Sequence, residues 1–505
     1  MSYILALDLG TTGNRAILFD ADGQAIVQAY KELTQYYPQP GWLEHDASEI
    51  WQDTQTVIRE VFASSGIEPT AVQAVGLTVQ RETCLLWDKT TGQPLHKAIV
   101  WQDRRTASAC DRLREAGHAQ DIAERTGLVL DAYFSASKLS WLLDEVKRTQ
   151  PDIDLGNVLA GTVDTWVLWN LTGGKVHATD HSNASRTMLF NIGSGEWDDT
   201  LLDLFGIPRL FLPSIEPSLG NFGTLSPDIC GVELPVMAVL GDQQAALYGH
   251  GCDRPGLMKC TYGTGCFLVS HTGDAIARSN NQLLTTVAWT DKTSGNGQSG
   301  TGFSAGYALE GSMFTGGACI QWLRDGLGII QSSEETEGIC QSVPDSNGVF
   351  FVPALSGLGA PHWDMTARGA YVGITGGAKR EHMVRAVVEA IAYQVCEIVE
   401  CVNKDLGTPI RRLKVDGGAS QNDFLMQFQA DAAGIEVERP ALADATAQGA
   451  AFAAGLAAGF YPSYAEMVAK RQVDRVFVPG EGAEQAQKNF GLWKEAVKRA
   501  KHWAV

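Results

Sequence analysis

The chain has 505 residues, of which 45% are hydrophobic and 19% charged, so it can fill two domain cores and is not a disordered protein. Its formal net charge of −19 argues against a nucleic-acid-binding protein, because phosphate contacts need clustered Lys and Arg. The ten cysteines are scattered and form no C-x-x-C pair, which predicts reduced thiols. The sequence has neither a basic leader nor a long apolar run, so we expect a cytoplasmic protein without membrane insertion.

The first elements along the chain are two strands joined by a Gly/Thr turn. Residues 3–9 are typical of a buried strand, residues 10–13 of a turn, and residues 15–20 of a second strand. Three further elements are predicted in this half: a strand at 72–79, a helix at 137–146, and a strand at 236–240 that leads into a helix at 244–248.

The same opening pattern returns near the middle of the chain. Residues 257–262 and 266–270 predict two strands around the turn Gly263-Thr264-Gly265. A long buried helix follows, indicated by apolar residues spaced by three and four at 384, 388, 391, 395, 398 and 402. After it the sequence predicts a short strand at 413–416 and an Ala/Gly-rich helix at 447–458. Two related halves are therefore expected.

Alternating strands and helices indicate an α/β protein, and the pattern alone favours mostly parallel central sheets. The turn-rich stretch 249–256 is the expected boundary between a domain at 1–250 and a domain at 251–505.

Several common nucleotide-binding motifs are missing from the sequence. It contains neither a G-x-x-x-x-G-K-[ST] loop nor the catalytic loop of protein kinases. One G-x-G-x-x-G occurs at 295–300, but it lies in a polar Ser/Gly stretch without a preceding strand, so we expect a flexible loop there. The turns at 8–12, 263–265 and 416–419 are better candidates for phosphate contacts, although each is also compatible with an ordinary turn.

Acidic and basic residues at strand ends supply candidates for catalysis. Asp242 follows a buried strand and precedes a helix, so it could be a general base at the mouth of the sheet or a helix N-cap. Arg81 and Glu82 also follow a strand and could bind a polyol's hydroxyl groups or form an exposed surface pair. Trp101, Tyr133 and Phe267 are compatible with a binding site or with the core.

Several longer stretches closely resemble the glycerol kinases, a branch of the FGGY carbohydrate kinases in the actin-like and Hsp70-like ATPase superfamily. The resemblance runs from Ile4 to Trp503. It is carried by the segments 80–83, 87–88, 98–106, 133–141, 241–247, 261–267 and 416–419.

The resemblance implies two ribonuclease-H-like domains, each with a mixed central sheet flanked by helices, and a cleft between them. It further implies ATP-dependent phosphorylation of glycerol to sn-glycerol 3-phosphate, with Mg²⁺ as the metal ion and a homodimer or homotetramer as the assembly. These features agree with phosphoryl transfer, in which the protein mainly positions the reactants and neutralises charge.

The resemblance also assigns roles to individual positions. Asp242 corresponds to the catalytic base, and Asp8 and Asp242 to the acids that organise Mg²⁺. Glycerol contacts correspond to Arg81, Glu82, Trp101, Tyr133, Asp242, Gln243 and Phe267. Contacts with the nucleotide correspond to Thr11, Thr12, Gly13, Arg15 and Thr264 for the phosphates and to Gly317, Gln321, Gly418 and Asn422 for adenosine.

Other functions remain open at this point. A kinase of another small polyol or a ketopentose would share the nucleotide loops, but large rings at Trp101 and Phe267 favour a small acceptor. A chaperone-like or filament-forming ATPase would leave the residues assigned to the polyol unexplained. A sensor descended from a kinase would not need Asp8, Asp242 and Thr264 together.

The sequence departs from the pattern of bacterial glycerol kinases in two places. The Gly/Ser-rich stretch 291–303 is longer, which is compatible with a surface insertion. In addition, Gly231-Val232-Glu233 occupies the loop where regulated bacterial relatives carry an arginine for a sugar bisphosphate.

An acidic side chain at Glu233 repels an anion, so we expect inhibition by fructose 1,6-bisphosphate to be weak or absent. The measurement is a titration of this compound against the initial rate at fixed ATP and glycerol. Strong, saturable inhibition would contradict the prediction.

Overall fold

The computed structural model describes residues 1–291, 303, 305–442 and 444–504. The predicted loop at 295–300 lies outside the described residues, as does most of the 291–303 stretch.

The first half of the chain is built on a six-stranded mixed sheet. Its central strand, Tyr3–Leu9, runs parallel to one neighbour and antiparallel to the other. In spatial order the strands are Thr224–Leu225, Leu234–Gly241, Val72–Val79, Tyr3–Leu9, Gly13–Phe19 and Ala25–Glu32.

Alternation along Tyr3–Leu9 divides its side chains between two cores. Leu5 and Leu7 face a core that includes the helices Ala47–Ser65 and Val163–Leu171. Ile4 and Ala6 face the opposite core. Both faces are apolar because both are covered by helices, as expected for an α/β sheet.

The second half repeats the arrangement with a seven-stranded mixed sheet. Its first strand again pairs antiparallel with the next strand along the chain and parallel with a strand from much later. The spatial order is Leu284–Trp289, Gly306–Met313, Cys266–Gly273, Leu257–Tyr262, Arg412–Asp416, Glu436–Pro440 and Val473–Phe477.

The long helix predicted in this half is confirmed as Arg380–Leu406. Its apolar stripe is buried in the largest core of the second half, together with the helices Asp423–Ala433 and Ala483–Ala500. The helix ends at Gly407 in the left-handed conformation, which a glycine adopts without steric cost.

A smaller four-stranded sheet belongs to the first half, and Trp101 of the candidate site closely follows its strand Ala98–Ile99. Its strands are Glu44–His45, Ala98–Ile99, Cys84–Asp88 and Val158–Thr162. The helix Ser135–Thr149 packs against this sheet, which confirms the helix predicted at 137–146.

The remaining helices and strands are short connections around these sheets. The helices are Ala107–Glu115, Ala119–Thr126, His181–Ala184, Asp199–Phe205, Pro227–Cys230, Asp242–Gly249, Ala318–Gln321, Glu335–Gln341, Ala445–Ala457 and Tyr464–Ala469, with shorter turns of helix at Pro69–Ala71, Leu155–Asn157, Arg209–Phe211, Trp322–Gly326 and Gly418–Gln421. The strands are Ala178–Asp180, Phe190–Asn191, Glu196–Trp197, Ser214–Glu216, Phe350–Val352 and Ala370–Val372.

The Ala/Gly-rich helix Ala445–Ala457 belongs to the second half of the chain but packs on the first sheet. It lies against the helix Asp242–Gly249, where Gly249 and Gly449 face each other. A Cβ at Gly449 would lie 1.8 Å from the carbonyl oxygen of Ala245, so the two backbones are in contact. The small residues therefore allow the halves to pack closely beside Asp242.

The α/β class, the two repeated halves and the mixed sheets flanked by helices are confirmed. The expectation of mostly parallel sheets, made from the pattern alone, is wrong. Each half opens with a hairpin, which places antiparallel strands next to the parallel ones. The ten cysteines are all free thiols, and in the described part of the chain no helix has the length and apolar character needed to cross a membrane.

Gly449→Ala should destabilise the protein by about 1–3 kcal/mol, because the added methyl group would overlap the backbone of Ala245. Urea unfolding followed by circular dichroism measures the change. The matched control is Gly491→Ala, since Gly491 lies in the helix Ala483–Ala500 with open space around it. The control should be neutral or slightly stabilising, and an equal loss in both variants would contradict the packing argument.

Candidate active site

The predicted site residues lie where the carboxyl ends of the parallel strands meet in the first half. The strands Tyr3–Leu9, Val72–Val79 and Leu234–Gly241 end at one edge, with Asp8 and Leu240 both in register with Thr78. The chain then turns away from this edge, which leaves polar side chains at the mouth of the sheet.

Arg81 is the centre of a buried network of charges. Its Nη1 and Nη2 donate to the two carboxylate oxygens of Glu310 at 2.6 and 2.9 Å. Its Nε lies 3.1 Å from Oδ1 of Asp242. Because Glu310 comes from the strand Gly306–Met313 of the second sheet, this arginine joins the two halves and also holds the predicted base.

A second arginine, Arg186, completes the network. Its Nε donates to Oε1 of Glu82 at 2.7 Å, and its Nη2 donates to Oε1 of Glu310 at 3.1 Å. Burial disfavours the charged carboxylate of Glu310, but Arg186 and Arg81 hold its pKa down to about 2. Two arginines and two glutamates, all buried, thus neutralise each other.

The backbone at Glu82 is held in an unusual conformation. Its φ is 63°, in the left-handed region that residues other than glycine rarely adopt. The contact with Arg186 and a hydrogen bond from the Ser135 hydroxyl to the Glu82 carbonyl oxygen at 2.9 Å fix this conformation. Strain of this kind is concentrated at functional sites.

Aromatic side chains form the wall beside the charged network. The ring of Trp101 packs edge-on against Tyr133 and Phe267, with centroids 5.6 and 5.7 Å apart. Phe314 extends the wall beyond Tyr133 at 5.9 Å. Trp101, Tyr133 and Phe314 line a cavity of about 560 Å³ that opens to solvent. The lining of this cavity also includes Arg104 and Arg368 but not Arg81 or Asp242, so the cavity adjoins the wall of rings and not the charged network itself.

The Trp101 ring also connects this wall to the first Gly/Thr loop. Its Nε1 donates to Oγ1 of Thr11 at 2.9 Å. The loop is closed by the amide of Gly10, which donates to the carbonyl oxygen of Gly13 at 3.0 Å. Thr12 is exposed at the tip of this turn, so its hydroxyl group is free to meet a ligand.

Acidic side chains gather on the other side of Asp242. Burial raises the pKa of Asp8 to about 7; Arg15 opposes this rise, and the carboxylates of Asp444, Asp242 and Asp416 add to it. Within the described residues, no group of three or more His, Cys, Asp or Glu side chains encloses a metal ion directly. A hydrated Mg²⁺ needs few protein ligands and suits this acidic set, because it would relieve the repulsion between the carboxylates.

Arg15 and Asp416 each have a fixed partner. Arg15 forms an ion pair with Asp444, which precedes the helix Ala445–Ala457. Asp416 accepts a hydrogen bond from Nε2 of His250 at 2.9 Å through its Oδ2, whereas its buried Oδ1 has no protein partner.

The predicted adenosine residues surround the second Gly/Thr loop. The amides of Gly316 and Gly317 donate to the carbonyl oxygens of Thr264 and Gly263, which brings the loop against the start of the helix Ala318–Gln321. Gln321 ends this helix.

The last two predicted adenosine residues follow the strand Arg412–Asp416. Gly418 has open space where a side chain would be, and Gly417 has a φ of 85° that places the turn against Tyr262. Asn422 caps the helix Asp423–Ala433, and its Nδ2 donates to Oγ1 of Thr336 at 3.0 Å. The geometry leaves a backbone surface beside Gly418 that a planar base can approach closely.

The structure decides two alternatives that the sequence left open. Asp242 is the first residue of its helix, not the N-cap, which is Gly241. Arg81 and Glu82 are 3% and 2% exposed, so the reading of a surface pair is wrong.

Sequence reasoning missed Glu310, Arg186 and Lys259, which all contact predicted site residues. A signal existed for Glu310, since it is a single acid within the otherwise apolar or small strand Gly306–Met313. A charge at the centre of a buried strand requires a partner.

Comparisons with known proteins agree with this geometry. The models of the FGGY family of carbohydrate kinases match the chain at residues 3–249 for the N-terminal domain and 258–458 for the C-terminal domain. A glycerol kinase of Acaryochloris marina is 68% identical over 503 residues, covering 100% of this chain and 99% of that protein. Glycerol kinase 2 of Thermotoga maritima is 52% identical over 503 residues, with the same coverage.

Solved structures show the same architecture. A Plasmodium falciparum glycerol kinase with ADP superposes with a TM-score of 0.88 at 34% identity, covering 99% of this chain and 98% of that one. A ligand-bound xylulose kinase from Lactobacillus acidophilus superposes with a TM-score of 0.86 at 22% identity, with 99% and 98% covered, which is a likeness of fold alone.

Glu310→Gln should destabilise the protein by about 3–5 kcal/mol, because it removes the one carboxylate that both buried arginines contact and leaves Arg81 with Asp242 and Arg186 with Glu82. The measurement is the free energy of unfolding in urea. Glu436→Gln is the control, since Glu436 pairs with Arg412 on the surface and should contribute at most about 1 kcal/mol. A loss in Glu310→Gln no larger than in this control would show that the network does not stabilise the fold.

Proposed function

We propose that the chain, which belongs to the FGGY family of carbohydrate kinases, is an ATP-dependent kinase that converts glycerol to sn-glycerol 3-phosphate. The full-length relatives that share most of its sequence carry the name glycerol kinase. The observation that carries the proposal is the position of Asp242, which Arg81 holds at 3.1 Å beside a wall of aromatic rings.

The acceptor site suits a small polyol. Rings at Trp101, Tyr133 and Phe267 would cover the carbon chain of glycerol, while Arg81 and Glu82 meet its hydroxyl groups. The full set of proposed acceptor contacts is Arg81, Glu82, Trp101, Tyr133, Asp242, Gln243 and Phe267. Large side chains around a fixed charged network leave little room for a longer sugar at the reacting end.

Asp242 would act as the general base in this reaction. Its carboxylate would take the proton from a terminal hydroxyl group of glycerol while that oxygen attacks the γ-phosphorus of ATP in line with the leaving ADP. Arg81 keeps the carboxylate directed to this position from one side. Because Arg81 is itself held by both oxygens of Glu310, the direction of the base is fixed before the substrate binds.

The nucleotide would bind along the loops that face the acceptor site. We propose phosphate contacts from Thr11, Thr12, Gly13, Arg15 and Thr264, and adenosine contacts from Gly317, Gln321, Gly418 and Asn422. Asp8 and Asp242 would hold Mg²⁺, which supplies charge neutralisation at the β- and γ-phosphates. The cluster of carboxylates near Asp8 supports this assignment, because it needs a cation to balance it.

The proposal also covers the domain bounds, the assembly and the location of the protein. We propose domains at 1–250 and 251–505, an assembly of two or four copies, and a location in the cytoplasm. The matches to separate N- and C-terminal family domains support the division, and the ten free cysteines support a reducing compartment.

The test is ADP release from Mg-ATP with glycerol, compared with xylulose, ribulose, erythritol and no acceptor. A rate that requires glycerol supports the proposal. A preference for a ketopentose would keep the nucleotide site and overturn the acceptor assignment, and turnover without an acceptor would indicate an ATPase.

Asp242→Asn should lower kcat by about 10²–10⁴-fold, because the amide cannot accept the proton. Asp253→Asn is the control, since Asp253 lies just beyond the same helix and pairs only with the exposed Arg254 among the ion pairs of the described residues. Its kcat should equal that of the wild type. Activity retained in Asp242→Asn would exclude this residue as the base.

A further inference from the structure

Lys259 is a fully buried lysine in the middle of the strand Leu257–Tyr262, which leads into the second Gly/Thr loop. Its Nζ donates to Oε1 of Gln243 and, at 2.9 Å, to Oγ1 of Thr261. Gln243 belongs to the helix Asp242–Gly249 of the first half, so the contact crosses between the halves next to the predicted base. A buried ammonium group in this position requires a reason, because its desolvation is costly.

The contact fixes the orientation of the Gln243 side-chain amide. An ammonium group has three donors and no acceptor, so the amide atom that faces Lys259 has to be the oxygen. The NH₂ group of Gln243 consequently points away from Lys259. Without this partner the amide could turn over and present either atom, since its two orientations have almost the same shape.

Two acids oppose the effect of burial on the ammonium group. Burial lowers the pKa of Lys259, and the carboxylates of Asp416 and Asp242 oppose that shift. Asp416 ends the strand Arg412–Asp416, which pairs in parallel with the strand that carries Lys259. The lysine therefore lies between an acid of the second sheet and the acceptor-binding helix of the first half.

We propose that Lys259 is a positioning residue that makes Gln243 a hydrogen-bond donor to the acceptor substrate. This inference rests on the proposed function, in which Gln243 contacts glycerol. A hydroxyl group that accepts from Gln243 keeps its own proton for an acceptor such as Glu82 or Asp242, so the lysine sets the direction of hydrogen bonds across the acceptor site. A substrate with only a carbonyl oxygen at this position could accept the hydrogen bond from Gln243, but it has no proton to donate to Glu82 or Asp242.

The experiment measures KM for glycerol and for ATP in wild type, Lys259→Met, Gln243→Met and the double variant. Lys259→Met should raise the glycerol KM by about 10-fold, the equivalent of one ordered hydrogen bond. In the Gln243→Met background the same substitution should change it by less than about twofold, because the amide through which the lysine acts is gone. Any change that Lys259→Met causes in the KM for ATP should be the same in the wild type and in the Gln243→Met variant.

The matched control is Lys414→Met. Lys414 lies in register with Lys259 on the adjacent strand and donates to the carbonyl oxygen of His250 at 2.6 Å, without contacting Gln243. It should leave the glycerol KM unchanged, and its melting temperature provides the reference for losing a lysine from this sheet.

Gln243→Glu tests the assignment with Lys259 in place, should Lys259→Met fail to fold. The new carboxylate pairs with the lysine and presents an oxygen where an NH₂ group stood, so the glycerol KM should again rise about 10-fold in a stable protein. A wild-type glycerol KM in Gln243→Glu, or an equal effect of Lys259→Met in both backgrounds, would overturn the inference. A wild-type protein without glycerol-dependent ADP release would instead contradict the proposed function.

Discussion

The pairing of Arg81 with Glu310 is the interaction on which the rest of the site depends. A guanidinium group stays charged even when it is almost completely buried, so burying it without a partner would be costly; Glu310 supplies a partner with two hydrogen bonds, at 2.6 and 2.9 Å. Once Arg81 is fixed, its third donor reaches Asp242 and fixes the base. The same carboxylate also binds Arg186, which in turn holds Glu82. The positions of Asp242, the proposed base, and of Glu82, proposed to bind a hydroxyl group, thus depend on one buried ion pair.

Several carboxylates lie close together on the opposite side of Asp242. Asp8 and Asp416 lie on strands and Asp444 precedes a helix. Burial raises the pKa of Asp8, and the nearby carboxylates of Asp444, Asp242 and Asp416 raise it further. Arg15 pairs with Asp444 and also opposes the rise in the pKa of Asp8, and His250 binds Asp416, so three carboxylates share one arginine and one histidine. The site is therefore neutral where the acceptor would bind and negative where a metal ion with a polyphosphate would bind. This division matches the needs of a phosphoryl transfer between an uncharged alcohol and a magnesium nucleotide.

Local sequence predicted the elements that depend on local patterns and missed the contacts that depend on folding. The stripe of Arg380–Leu406 and the two hairpin openings were predictable, because period and turn residues are encoded within short windows. The alternation of strands and helices along the chain did not predict mixed sheets, because the relative direction of two strands depends on pairing between residues far apart in the sequence. Lys259 and Gln243 are 16 residues apart, and Arg81 and Glu310 are 229 apart. No spacing rule relates such pairs, so only the resemblance to a family placed the site residues together beforehand.

Glu310 and Lys259 both connect the second half of the chain to proposed acceptor-site residues of the first half. Both lie on strands of the second sheet, and both act on residues of the first half, Arg81 and Gln243. A relative shift of the halves would break both contacts and would also disturb the core that the helix Ala445–Ala457 shares with the first sheet. The hydroxyl-binding residues are consequently in place only when the halves are together, the arrangement that also brings the loop Gly263–Gly265 towards the base. Under the proposed function, the acceptor site and the nucleotide loop are completed by the same arrangement, which would disfavour transfer to water whenever the halves are apart.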